Sequence, residues 1–116
     1  MSDDCRLWFQ IRIGDGRFGP GKADLLAHIR DTGSISAAAR RMGMSYRRAW
    51  TLLEAVNDLT GIPAVETARG GARGGGARLT ARGEALLNAY EHLRDTLNAA
   101  AAPTLADLAG PGALDE

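Results

Sequence analysis

The residues of this 116-residue chain best suited to chemistry are arginine, hydroxyl and aromatic side chains between Gly33 and Thr51. Their sequence is GSISAAARRMGMSYRRAWT, in which two Arg-Arg pairs stand seven residues apart. A guanidinium group binds phosphate or the edge of guanine through paired hydrogen bonds, and hydroxyl groups donate to phosphate oxygens. This composition predicts reversible contact with a nucleic acid.

A second arginine-rich stretch, RGGARGGGAR at residues 69–78, contains five glycines. Backbone without side chains can lie close to a phosphate, and the intervening arginines can reach the DNA backbone or a narrow minor groove. This interpretation is favoured over a flexible hairpin without a contact role and over contact with RNA. The stretch is not a phosphate-binding P-loop, because no Gly-Lys-Ser/Thr sequence follows it.

Covalent catalysis and metal binding find no support in the sequence. His28 and His92 are far apart, Cys5 is the sole cysteine, and no metal-ligand spacing or nucleophile motif is present. We therefore predict a protein that is not an enzyme and that uses no metal or cofactor. A single cysteine also excludes an intramolecular disulfide and, with no apolar run of about 18 residues, favours a cytoplasmic protein without a membrane span.

The formal net charge is zero, but the charges are segregated along the chain. Residues 1–39 are balanced, residues 40–82 carry eight arginines against three acids, and residues 83–116 carry one arginine against six acids. The middle segment is thus +5 and the last segment −5. High-GC codon usage can explain why thirteen of fourteen bases are arginine, but it does not explain the segregation, which indicates an anionic partner for the middle segment.

Hydrophobic periodicity predicts the elements that position these residues. Alternation predicts a strand over residues 6–13, and GDGRFGPG at 14–21 predicts a turn or loop. Helices are predicted over 22–32, from the N-cap Ser34, and from the N-cap Ser45 to about Thr60. Strands at 64–69 and from 78 then enclose a Gly/Arg-rich wing predicted at residues 69–78. Below, the wing means this stretch together with its two strands, residues 64–79. Thr80 caps a last helix that Pro103 should stop or kink.

The expected fold is mainly α with a small β-hairpin wing: a winged helix-turn-helix in the order strand, helix, helix, helix, hairpin, helix. Ala39 and Gly43 supply the small residue and the turn glycine that two closely packed helices need. The alternative is a plain helical hairpin with a solvated arginine face. Residues 1–102 are expected to form the domain, including a dimerisation helix at about 80–102, and residues 103–116 a short tail.

In this fold the second helix of the motif presents its N-terminal residues to DNA. Tyr46 and Trp50 share a helix face; we expect Trp50 to be partly buried and Tyr46 to contact DNA. The full set of predicted contact residues is Ser34, Ser36, Arg40, Arg41, Ser45, Tyr46, Arg47, Arg48, Trp50, Thr51, Arg69, Arg73 and Arg78.

The last helix carries an apolar stripe with spacings of four, three and four residues, formed by Leu86, Tyr90, Leu93 and Leu97. This spacing suits a short seam between two copies of the chain. Packing within one chain is the alternative. A two-fold homodimer would present two recognition helices to a palindromic site in double-stranded DNA.

Residues 6–100 resemble the N-terminal DNA-binding domain of the bacterial molybdate-dependent regulators of the ModE family, relatives of the LysR-type helix-turn-helix. The resemblance rests on GSISAAARRMGMSYRRAW and GGARGGGARLTARGEALLNAY. It implies a homodimer on a palindromic operator, with residues 45–51 in the major groove and the wing along the backbone. It also implies a link to molybdenum-related genes, although no segment here resembles the family's C-terminal molybdate-binding modules.

Two other functions fit the same residues. The chain could form mixed dimers with a longer regulator through the 80–101 helix and so modulate it. Alternatively, the basic wing could bind an oxyanion such as molybdate or tungstate directly. The second is disfavoured, because glycine-rich loops bind anions without selecting one.

Overall fold

The computed structural model describes residues 5–68 and 76–109. The strands are β1 (Ile11–Ile13), β2 (Gly16–Phe18), β3 (Val65–Ala68) and β4 (Gly76–Leu79). The helices are α1 (Pro20–Thr32), α2 (Ile35–Arg41), α3 (Tyr46–Thr60) and α4 (Ala81–Ala109). The strands form two antiparallel pairs, β1 with β2 and β3 with β4. The predicted mainly α fold with a β-hairpin wing is confirmed.

The N-terminal strand is much shorter than predicted, and part of the predicted loop is a strand. Only residues 11–13 of the alternating segment pair, and their partner β2 lies within the stretch that its glycines predicted to be irregular. Gly14, with φ +58°, makes the tight turn between the two strands. Residues 6–10 lie against α4 instead: Leu7 and Phe9 are partly buried, and Phe9 stacks on Tyr90 at 4.8 Å between ring centroids.

The hydrophobic core lies between α1, α2 and α3 and is closed by the wing and α4. Its largest fully buried side chains are those of Phe18, Leu25, Leu26, Ile29, Leu53, Val56 and Leu87. Leu52 and Leu59 are partly buried at its edge. Helix α1 begins at Pro20, two residues earlier than predicted, because proline is well suited to the first turn of a helix.

Helix α4 does not end at Pro103, as one reading of that proline predicted, but continues to Ala109. Proline has no N–H to donate to the carbonyl four residues earlier, at Ala99. The alanines around it have the highest helix propensity of all residues, which offsets part of that loss. The long helix contributes to an elongated molecule of 61 × 30 × 20 Å. Among the described helices, none has the length and apolarity needed to cross a membrane.

Candidate nucleic-acid interface

Both predicted caps of the helix-turn-helix are present. The Ser34 hydroxyl accepts a hydrogen bond from the Ala37 N–H at 3.0 Å, and the Ser45 hydroxyl accepts one from the Arg48 N–H at 3.0 Å. Gly43 adopts φ +69° in the turn between α2 and α3. These contacts fix where α3 begins, and so fix the position of the residues in its first turn.

The first turn of α3 and the end of α2 present arginine to solvent. Arg40, Arg41, Arg47 and Arg48 are all exposed. Within residues 5–68 and 76–109, no ion pair involves any of these four. Their positive charge is therefore available to an anionic partner.

Trp50 has the partial burial that the sequence predicted, whereas the contact of Tyr46 with DNA stays a prediction. Tyr46 is 54% exposed at the start of α3, whereas Trp50 is partly buried and packs against the core. The two rings meet edge to face, with centroids 6.3 Å apart. The partly buried indole thus limits the positions that the exposed tyrosine ring can take.

The wing is attached to the helix-turn-helix through main-chain atoms. The Ala77 N–H of β4 donates to the Gly33 carbonyl at 2.9 Å. Gly33 ends α1 in the left-handed conformation, with φ +71°. A Cβ atom on Gly76 would lie 3.2 Å from the same carbonyl, so the close approach favours glycine there. The first residues of α2 and the strand β4 are therefore held side by side.

An open groove of about 230 Å³ lies where α2, α3 and the wing meet, and we call it the interface groove. Four of the predicted contact residues line it: Ser34, Ser36, Tyr46 and Trp50. Thr67 of β3 lines it as well and was not predicted from the sequence. No signal in the sequence identified it, because the register that sets Thr67 opposite Ala77 is established only when the hairpin folds.

Among the described residues of the predicted contact set, Arg78 is the arginine that has an acidic partner. It stands directly opposite Glu66 in the strand register, with 3.8 Å between Nε and Oε2. Thr51 is exposed on α3, and its hydroxyl donates to the Arg47 carbonyl at 3.1 Å. Arg69 and Arg73 lie outside the described residues.

The apolar stripe of α4 is divided between the core and the surface. Tyr90, predicted to face a second chain, is only 3% exposed, and its hydroxyl donates to the Phe9 carbonyl at 2.9 Å. It therefore belongs to the chain's own core. Leu86 is partly buried, whereas Leu93 and Leu97 are each 38% exposed. The part of the stripe that remains exposed to a second chain is thus smaller than predicted, and it consists mainly of Leu93 and Leu97.

His28 lies half-buried within α1, and Cys5 is exposed. The part of the chain that the structure describes contains no cluster of three or more potential metal ligands.

The arrangement of three helices, wing and long C-terminal helix defines a winged helix-turn-helix protein. A CbnR DNA-binding domain in complex with DNA has the same fold, with a TM-score of 0.59 and 21% identity, covering 74% of this chain and 93% of that one. Full-length CbnR with its target DNA gives a TM-score of 0.58 at 21% identity over 75% of this chain and 28% of that one. Residues 22–84 match the bacterial regulatory helix-turn-helix proteins of the lysR family, and the chain belongs to that family.

Relatives with greater identity carry names from molybdenum biology, which confirms the resemblance to ModE. The molybdenum-pterin-binding protein MopB of Rhodobacter capsulatus is 53% identical over 86 residues, covering 74% of this chain and 32% of that protein. The transcriptional regulator ModE of Yersinia pestis is 43% identical over 88 residues, covering 76% of this chain and 33% of that protein. The chain thus spans about a third of the length of these relatives.

Proposed function

We propose that this protein is a sequence-specific DNA-binding transcriptional regulator that binds a palindromic operator as a homodimer. The observation that carries the proposal is the interface groove: the N-terminal ends of α2 and α3 and the wing converge there, flanked by exposed arginines without acidic partners among the described residues. Such a surface complements a phosphate backbone beside a major groove.

Helix α3 is the element that we assign to the major groove. Its N-terminus carries the positive end of the helix dipole together with Arg47, Arg48 and the exposed Tyr46. Arginine can bind guanine bidentately, and an aromatic edge can contact the methyl group of thymine. Hydroxyl groups of Ser36 and Thr67 across the groove are suited to phosphate oxygens rather than to bases.

The homodimer is supported by the exposed leucines of α4. Leu93 and Leu97 are one helical turn apart and leave apolar surface uncovered in the single chain. A two-fold dimer formed along α4 is suited to half-sites of inverted sequence whose centres lie about 34 Å, one turn of DNA, apart.

A role in the expression of molybdenum-related genes is supported by the names of the relatives. Two of them are named as molybdenum-pterin-binding proteins and several as regulators ModE. We extend the association to this chain as a proposal about the genes it controls.

Selection of bound duplexes from a random DNA library tests the function directly. We expect a palindrome with two half-sites to be enriched, and recovery of no sequence above the random pool would contradict the proposal. Arg47→Ala should then weaken binding to the selected duplex by about tenfold or more and binding to random DNA by less, since a base contact is worth about 1–3 kcal/mol. Arg94→Ala, which removes the same charge from α4, is the matched control.

Mixed dimers with a longer regulator are a second candidate, supported by the same exposed leucines. Tagged protein purified from its native cell would then carry a longer relative at an appreciable fraction. Recovery of the homodimer alone would exclude that role.

A further inference from the structure

Glu66 is an acidic side chain on the wing, directly opposite Arg78 in the register of β3 and β4. The Arg78 Nε atom lies 3.8 Å from Oε2 of Glu66, and the side chains are 80% and 53% exposed. Among the arginines of the predicted contact set within residues 5–68 and 76–109, Arg78 alone forms an ion pair. Among these arginines, only the charge of Arg78 is therefore partly neutralised by a neighbouring carboxylate.

The pair lies beside the interface groove. Glu66 and Arg78 line an open cavity of about 440 Å³ that shares Thr67, Ala68, Gly76 and Ala77 with the groove. A DNA backbone that reached the wing from α3 would pass close to both side chains. The carboxylate thus lies on the surface that is otherwise suited to phosphate.

We propose that Glu66 limits the affinity of the protein for the DNA backbone by competing with phosphate for Arg78, an inference that rests on the DNA-binding function proposed above. In the free protein the guanidinium group is partly neutralised by the carboxylate. Binding exchanges this partner for a phosphate and leaves two negative charges close together. Both effects make the contribution of Arg78 to DNA binding less favourable.

This limit acts on a contact to phosphate, so it is independent of DNA sequence. It weakens binding to random DNA and to the operator by a similar factor, while discrimination between bases remains with α3. Because non-specific binding is almost entirely electrostatic, a single carboxylate on the wing shortens the time that the protein spends on random sequence.

The test measures dissociation constants of the wild type and Glu66→Gln for a random duplex and for the selected duplex over a range of salt concentrations. We expect the variant to bind both duplexes about two- to fivefold more tightly at low salt. Its plot of log K against log salt should also be steeper, by up to about 0.9, because up to one more net positive charge is available to neutralise phosphate.

Two controls separate the ion pair from net charge. Asp15→Asn removes the same charge from the β1–β2 turn, which lies with Asp58 and Leu59 near the C-terminal end of α3, away from its first turn. It should change affinity much less. In an Arg78→Ala background, Glu66→Gln should lose most of its effect, because the competition no longer exists.

Equal gains from Glu66→Gln and Asp15→Asn, or an undiminished gain in the Arg78→Ala background, would overturn the proposal. These measurements use random DNA, so they remain decisive even if the wild type prefers no particular duplex and the proposed sequence-specific function fails. Absence of any DNA binding by the wild type would refute both.

Discussion

At the scale of single residues, the junction between the wing and α4 depends on a glycine at a helix start. A Cβ atom built on Gly83 would lie close to the Ala64 carbonyl oxygen, a backbone atom that cannot rotate away. The Thr80 N–H also donates to that carbonyl at 2.9 Å, which holds the two segments together. This approach is available only without a side chain at position 83.

Gly83→Ala should therefore lower the free energy of unfolding by about 2 kcal/mol, even though alanine has the higher helix propensity. Gly21→Ala is the matched control, because its Cβ would meet nothing within 4 Å. That variant should be neutral or slightly more stable. Urea unfolding of both proteins tests the prediction, and equal stabilities would contradict it.

Tyr90 is a buried phenol whose ionisation affects stability. Burial raises its pKa above the ordinary value of 10.0; Arg94 opposes the shift and Asp24 adds to it. The folded state thus retains the phenol proton at a pH where the unfolded state releases it. The stabilisation is complete below the ordinary tyrosine pKa and is lost as the pH rises through the raised value.

Tyr90→Phe should cost about 1 kcal/mol at neutral pH, because the hydrogen bond to the Phe9 carbonyl is lost. Unfolding measured below and above pH 10.0 should show that the difference between the two proteins shrinks as the pH rises. Tyr46→Phe, at an exposed position, should leave stability unchanged. A difference for Tyr90→Phe that stays constant with pH would be inconsistent with this account.

At the scale of elements, the capping role of Ser45 can be separated from its proposed role beside DNA. Its hydroxyl caps α3, and it lies at the N-terminal end of this helix, which we assign to the major groove of DNA. Aspartate caps a helix as well as serine does, but it adds a negative charge where phosphate would approach.

Ser45→Asp should therefore keep the stability of the wild type within about 0.5 kcal/mol and weaken DNA binding by about tenfold or more. Ser45→Ala should instead lower the free energy of unfolding by about 1 kcal/mol, because the cap is missing. Thermal unfolding and a binding titration measure both quantities. If a stable Ser45→Asp protein bound DNA as tightly as the wild type, the first turn of α3 would not lie beside the phosphate backbone of the DNA.

The helices were predictable because their ends carry local signals. Ser34 and Ser45 cap α2 and α3, and Gly33 and Gly61 end α1 and α3 with φ near +70°. Each of these residues is adjacent in sequence to the helix end that it determines. The error in the N-terminal strand occurred where a distant contact decides. Residues 6–10 alternate like a strand, but α4 offers them an aromatic partner at Tyr90 instead of a strand.

The interface was only partly predictable for the same reason. Tyr46 and Trp50 share one face of α3. Tyr46 is exposed because it is the first residue of the helix, whereas Trp50 lies one turn further along and is partly buried. The contribution of Thr67 depends on how the wing folds back beside α2, a contact across more than thirty residues of sequence. Periodicity within a segment carries no information about such a contact.

At the scale of the whole molecule, the proposed dimer depends on the leucines that α4 leaves exposed. Leu97→Glu should prevent association and reduce the affinity for a two-half-site duplex to that for one half-site. Asn88→Glu adds the same charge at another exposed position of α4 and should have little effect. Sedimentation of both variants tests this, and a wild type that sediments as a monomer would refute the seam.

The bond between the Ala77 N–H and the Gly33 carbonyl has a consequence for how the protein can change over evolution. Donor and acceptor are both backbone atoms, so the attachment of the hairpin tolerates almost any side chain, provided that positions 33 and 76 remain glycine. The tip of the hairpin can then be lengthened, shortened or exchanged between relatives without moving α3. Under the proposed DNA-binding function, base recognition by α3 and affinity of the hairpin for the DNA backbone can accordingly diverge as separate traits.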